Sequence, residues 1–253
     1  MNISLGTGNL GKNYNLSSHN TVNYCISKDY PLHISLDYNV NKKFLNIDNF
    51  ENFQPKFILK ITVIKNIFKL KKHIEKQINE FLELYNLKTI GYIQLCNNPS
   101  KNFIYQFFLK KIISKYLKKK IISKVYLDVF PDYEKNLIFY LNDKFYDGYV
   151  FLFNYETRSI SKNFFSKIIE SQKSIIVYSP FASGELFKNG EKNVLNHLRF
   201  FNTISKSIKY IVFGSKNLER IKFIESNLNL KENILDNNIF NDIIINQKIF
   251  NKY

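Results

Sequence analysis

The stretch 208–228, IKYIVFGSKNLERIKFIESNL, holds the plan of the whole chain in one unit. Its first six residues, IKYIVF, are a short apolar run of strand type. GSKN follows, and from Asn217 to Leu228 apolar residues recur at helical spacing. Asn217 stands where a helix N-cap belongs, its side-chain oxygen placed to accept the first N–H groups of the helix.

The same strand-then-helix unit recurs along the chain. Apolar runs occur at NISL (2–5), LHISL (32–36), FILKITVI (57–64), TIGYIQL (89–95), IISKVYLDV (121–129), GYVFLF (148–153), SIIVY (174–178) and IKYIVF (208–213). Helical stripes fill 66–86, 101–118, 159–171, 191–206 and 217–228, with Ser159 as the cap of its helix. In the clearest of them, Ile67, Leu70, Ile74, Ile78, Phe81 and Leu82 share one face. Eight such strands in 253 residues predict a (β/α)8 TIM barrel of the α/β class, slightly truncated. A doubly wound open sheet uses the same units, but GTGNLG (6–11) runs into NYNLSS instead of opening a helix. The first connection is short, so its helix is expected to be stubby, at roughly 19–28. Residues 1–253 are read as one domain, with 229–253 a C-terminal extension across one end.

Composition narrows the function classes. Hydrophobic residues at 45% and charged residues at 23% give a globular chain, not a disordered one. No apolar run is long enough for a membrane span, and the N-terminus lacks a signal-peptide pattern. A cytoplasmic location is expected. Cys25 and Cys96 have no metal-ligand or CxxC spacing, so neither a zinc site nor a disulfide is expected. The net charge of +16 would suit a polyanion. Against that, Lys, Asn, Ile, Phe and Tyr have AT-only codons, and GC-dependent Ala, Gly, Pro and Arg are scarce. Only Arg158, Arg199 and Arg220 could supply the bidentate fork that base reading favours, and the lysines are scattered. Neither nucleic acid nor membrane is therefore an expected partner.

Barrels of this kind build their sites at the C-terminal strand ends, with phosphate held by the loops after strands seven and eight. Here those loops are SPFASGELF (179–187), with the chain's single alanine Ala182, and GSKN (214–217). Gly214 and Ser215 would offer N–H groups at the positive end of a helix dipole, and Lys216 and Arg220 full charges. An ordinary capped surface helix with solvated cations reads the same way.

At these loops the chain resembles the aldo-keto reductase family. VYSPFASGELF (177–187) resembles its YSPLAxGxL, SLGTGNLGKNY (4–14) its LGTxxxGxxY, and YNVNKKFLN (38–46) its YGxSExxLG. VFLFNYETRS (150–159) resembles QxPYNxxxR, and IVFGSKNLERI (211–221) resembles GxxxxEQL. The resemblance runs in order along nearly the whole chain. It implies an oxidoreductase that reduces a small carbonyl compound with NADP(H), a tyrosine protonating the nascent alkoxide. On that basis Tyr38 is the proton donor and Lys60 its partner, with Lys65 an alternative. Asp37 takes the aspartate's role, although a two-residue deletion would put Ser35 there instead. The usual histidine is replaced in QLCNNP by Cys96 or Asn97. The resemblance gives Asn154, Tyr178, Ser179, Phe181, Gly184 and Arg220 to the cofactor, beside Gly214, Ser215 and Lys216, which the spacing alone puts at its phosphates. Val150 and Asp128 stand where carboxamide-contacting Gln and Ser are usual. The alternatives are a non-catalytic barrel that binds NADP(H) or serves as a scaffold, and a basic nucleic-acid binder.

Overall fold

The structure is a computed structural model of the 253-residue chain. It describes residues 1–8, 10, 15–38, 56–96, 101–129, 139–152, 167, 170–181, 184–188, 190–203 and 207–228. The eight apolar runs form the strands β1 (Asn2–Gly6), β2 (Leu32–Ser35), β3 (Phe57–Thr62), β4 (Ile90–Cys96), β5 (Ile122–Asp128), β6 (Gly148–Leu152), β7 (Ser174–Tyr178) and β8 (Ile208–Phe213). All pair in parallel with their sequence neighbours, and β8 closes on β1, so the sheet is a closed (β/α)8 barrel. The described helices are α1 (Leu16–Ser27), α2 (Ile67–Leu84), α3 (Phe103–Lys118), a single turn α4 (Glu185–Lys188), α5 (Glu191–Thr203) and α6 (Leu218–Asn227).

Period-two alternation sorts each strand between two cores. Outward residues such as Leu5, Ile34, Leu59, Ile93, Leu127 and Phe151 pack against the helices in one large apolar cluster. Inside the barrel, Ile58, Tyr126, Val150, Ile176, Tyr210 and Val212 form a second cluster, with Tyr92 and Tyr178 packed on it. Tyr92 meets Tyr126 and Tyr210 edge to face at 5.8 and 5.5 Å, and Tyr210 donates to the Tyr92 hydroxyl at 3.1 Å. This aromatic plug fills the barrel toward the strand N-termini, so the polar inward residues lie nearer the other end.

Asparagine side chains set the helix starts at that other end. Asn66, Asn102 and Asn217 each accept two first-turn N–H groups of the helix that follows β3, β4 and β8. Asn102→Ala is expected to cost about 1 kcal/mol, read as a melting temperature lower by about 3 °C. The first helix differs from expectation. Asn15 caps it, accepting from Ser18 N–H at 3.0 Å, so α1 begins at Leu16. In 66–86, Leu70, Ile74, Ile78 and Phe81 are buried as the stripe requires, while Ile67 and Leu82 are half-buried. The extension 229–253 and most of 159–171, including Ser159, lie outside the described residues.

Candidate functional site

A cavity of about 790 Å³ opens at the C-terminal ends of β1, β2, β7 and β8. Its size suits a small-molecule site, typically about 300–1,000 Å³. Tyr38 and His33 line one part of it, and the loops after β7 and β8 line the rest.

Tyr38 reaches the cavity because β2 stops at Ser35. Tyr38 N–H donates to the Ser35 carbonyl at 3.1 Å, closing a turn. Strand alternation therefore ends before Asp37, and Asp37 and Tyr38 need not point to opposite faces. The GTG of the opening motif supports this arrangement. Thr7 bonds the His33 carbonyl through both its N–H and its hydroxyl, each at 3.0 Å. A Cβ on Gly8 would lie 3.4 Å from the Tyr38 ring, so the tyrosine packs directly over glycine backbone.

Lys60 pairs in register with Ser35 on one side and Gln94 on the other. Its ammonium lies 5.9 Å from the centre of the Tyr38 ring. Among the described residues no hydrogen bond joins the two side chains, so their coupling is through space. Burial pushes the Tyr38 phenol above its ordinary pKa, and the Lys60 charge offsets this only in part. Burial works against the Lys60 charge, yet Cys96, Tyr38, Asp128 and Asp37 outweigh it and raise the amine. At neutral pH the pair is a protonated phenol beside an ammonium. The alternative lysine, Lys65, lies past the end of β3 and is exposed.

Asp37 accepts from the Thr62 hydroxyl at 2.7 Å and weakly from the Ser35 hydroxyl at 3.5 Å. It contributes charge near Lys60, whereas Ser35 is the residue beside Lys60 in the sheet. Cys96 is buried, as expected of a small strand-end residue; burial and the neighbouring Asp128 raise its thiol pKa well above the usual range. Asn97 and Asn154 lie outside the described residues.

Sequence reading missed one feature. His33, Gln94 and Asp128 form a buried chain across β2, β4 and β5. His33 Nε2 lies 2.6 Å from Gln94 Oε1, Gln94 Nε2 donates to Asp128 Oδ2 at 2.8 Å, and the Cys96 thiol lies 3.4 Å from the same oxygen. The signal was the alternation in LHIS, which turns His33 and Ser35 inward together. Burial, helped by the Lys60 charge and opposed by the Gln94 bond, pushes the His33 pKa down to about 4. Below its ordinary value of 6.5 the unfolded chain takes up a proton that the folded protein refuses until about 4. Stability is therefore lost as pH falls through that window, by about 2 kcal/mol at pH 5. Urea midpoints at pH 7 and pH 5 should differ accordingly, and His33→Phe should shrink the difference.

The other half of the cavity carries the remaining described candidates together. Tyr178, Ser179, Phe181 and Gly184 come from β7 and its loop; Gly214, Ser215, Lys216 and Arg220 come from β8 and α6. Ser179 holds φ 52°, a left-handed turn that ends β7, and its N–H donates to the Val212 carbonyl at 3.1 Å. Gly184 at φ 97° closes the loop, its N–H donating to the Phe181 carbonyl at 2.8 Å. Arg220 reaches across from α6, 4.9 Å from the Phe187 ring centre. A Cβ on Gly214 would lie 2.7 Å from the Gly6 carbonyl oxygen, so only glycine lets β1 and this loop approach so closely.

The helix end is capped by Asn217, as expected. Asn217 Oδ1 accepts the N–H groups of Glu219 and Arg220, and Ser215 Oγ accepts that of Asn217. The donors so occupied are those of Asn217, Glu219 and Arg220, not the Gly214 and Ser215 N–H groups expected to face an anion. The hydroxyls of Ser17 and Thr21 hold the Lys216 carbonyl, fixing the loop to α1. Gly214, Ser215, Lys216 and Arg220 all line the cavity.

No protein-family model and no curated protein matches the chain. Solved structures do. An aldo-keto reductase from Klebsiella pneumoniae in complex with NADPH is 10% identical, with TM-score 0.72, covering 99% of this chain and 93% of its own. MGS-M4, an aldo-keto reductase from a Medee basin deep-sea metagenome library, is 12% identical, with TM-score 0.67 and coverage of 95% and 88%. A second Klebsiella pneumoniae aldo/keto reductase, in complex with NADP and acetate, is 9% identical at TM-score 0.67, covering 95% and 89%. Across nearly its whole length, this chain has the fold of the aldo-keto reductases.

Proposed function

We propose that this protein binds NADP(H) in the 790 Å³ cavity and reduces a small carbonyl compound there. The observation that carries the reading is that one cavity holds Tyr38 together with every described residue expected to hold the cofactor. Two features fit a dinucleotide's phosphate half: the Gly6–Gly214 approach, which a Cβ would block, and the Lys216–Arg220 pair. Tyr178 offers an aromatic face at the end of β7 for the nicotinamide. The carboxamide end fits less well. Val150 has no polar group, and Asp128 already accepts from Gln94 and Cys96.

When bound, the reduced cofactor supplies hydride. The chain's own residues handle the proton and the charge. Tyr38, protonated at neutral pH, donates to the carbonyl oxygen as negative charge develops there. Lys60 stays cationic and stabilises both that charge and the phenolate left behind. Asp37 helps keep Lys60 protonated. Asn97 and Asn154 keep the roles that the resemblance gives them, as substrate and cofactor contacts.

Cofactor binding is tested by following NADPH fluorescence during titration. Low-micromolar binding is expected. Arg220→Ala should weaken NADPH about 10-fold or more, because an anion loses a charge-assisted bond. Binding of NADH should change little, which would place Arg220 at the 2′-phosphate. No binding at tens of micromolar would overturn the reading. The crowded carboxamide end favours one second reading, a barrel that binds NADP(H) without turnover. Saturable binding with no oxidation of NADPH by any of a panel of aldehydes and ketones would select it.

A further inference from the structure

The buried chain from Asp128 to His33 fixes where protons sit on the cavity wall. Gln94 Nε2 donates to Asp128 Oδ2 at 2.8 Å, so the amide nitrogen faces the acidic end of the chain. That orientation turns Gln94 Oε1 toward His33 at 2.6 Å, and an amide oxygen can only accept. His33 Nε2 must therefore carry the ring hydrogen. A neutral imidazole with hydrogen on Nε2 has a lone pair on Nδ1. His33 lines the cavity, and among the described residues no other hydrogen bond is made by its ring.

We propose that the Asp128–Gln94–His33 chain locks His33 as a hydrogen-bond acceptor facing the cavity, selecting ligands that donate an O–H or N–H to it. This gives the site two opposed polarities. Tyr38 and Lys60 present protons, and His33 presents a lone pair. His33 therefore does not replace the missing histidine of QLCNNP as a proton donor. It is a binding residue for a donor group on the ligand, and Gln94 and Asp128 are positioning residues that act through it. Among the described residues, Lys60, Cys96 and Tyr38 face this chain. Lys60 disfavours a second positive charge on the ring, and the Cys96 thiol gives Asp128 a second donor.

The substrate readout rests on the reductase reading, but the proton readout does not. Two-bond proton–nitrogen correlation spectra of the ¹⁵N-labelled protein separate the two neutral tautomers and the cation. The four histidines are few enough to assign, with His33→Phe identifying the His33 signal. At pH 7 the wild-type ring is expected wholly in the Nε2–H form. Gln94→Leu and Asp128→Ala should release it into a mixture with the Nδ1–H form or the cation. An Nδ1–H or cationic His33 in the wild type overturns the proposal, even if neither variant folds. Variants that fold and leave the Nε2–H form unchanged overturn the positioning role.

The second readout compares glycolaldehyde with acetaldehyde, which differ by one hydroxyl donor. Wild type should favour the hydroxylated compound in kcat/KM by about tenfold, the worth of one neutral hydrogen bond. His33→Phe should abolish that preference mainly through KM. An equal preference in wild type and variant sinks the selectivity. If neither aldehyde is turned over, the reductase reading fails, and the tautomer spectrum still decides the acceptor.

Discussion

Tyr38→Phe is expected to lower NADPH-dependent carbonyl reduction by about 10²–10⁴ in kcat, the usual weight of a positioned acid. NADPH affinity should stay within about twofold, because the ring remains packed over Gly8 and only the hydroxyl is removed. That combination separates a proton donor from a structural tyrosine. The expectation follows from the site's electrostatics. Burial keeps the phenol protonated, and the Lys60 ammonium lies 5.9 Å from the ring centre, ready to stabilise the phenolate when the proton leaves. Lys60→Met should act in the same direction, removing the charge while keeping the apolar stem. Full turnover in Tyr38→Phe would remove Tyr38 from the chemistry. A loss of both binding and turnover would point instead to collapse of the turn at 35–38.

Gly148→Ala is expected to be the most damaging single methyl in the barrel. A Cβ there would lie 2.0 Å from the Ser174 carbonyl oxygen and 2.6 Å from a Tyr126 ring carbon. Neither neighbour can move cheaply. Ser174 is the register partner of Gly148 on β7, and Tyr126 is its partner on β5 and part of the aromatic plug. The cost should reach about 3 kcal/mol or more, seen as a melting temperature lower by roughly 10 °C. Gly91→Ala is the internal control, because its Cβ would meet the Phe57 carbonyl oxygen at 3.4 Å, an ordinary contact. That variant should be neutral or slightly stabilised. Equal melting temperatures for the two variants would contradict the β5–β6–β7 register.

The eight strands were legible because each is a short apolar run, and burial on both faces in a parallel barrel demands such runs. SIIVY and IKYIVF match their strands residue for residue, since a turn residue ends each of them abruptly. FILKITVI was read two residues too long, because Val63 and Ile64 stay apolar after the ladder ends at Thr62. The cap at Asn217 was legible because capping is local chemistry, whereas the start of α1 was misplaced because many asparagines compete for that role.

The candidate site divides along the same line. Tyr178, Ser179, Phe181 and Gly184 could be read together because they are neighbours in one loop, and Gly214 through Arg220 because they form one strand-to-helix turn. Composition and periodicity determined the barrel, its strand order and the two loops that line the cavity. Only the tertiary structure decided that Tyr38 turns inward beside Asp37, and that His33 reaches Gln94 and, through it, Asp128. The last contact joins residues 61 and then 34 positions apart. Nothing in the chain between them records it, because the barrel alone brings His33 on β2 to Gln94 on the non-adjacent β4, and the β4–β5 pairing brings Gln94 to Asp128.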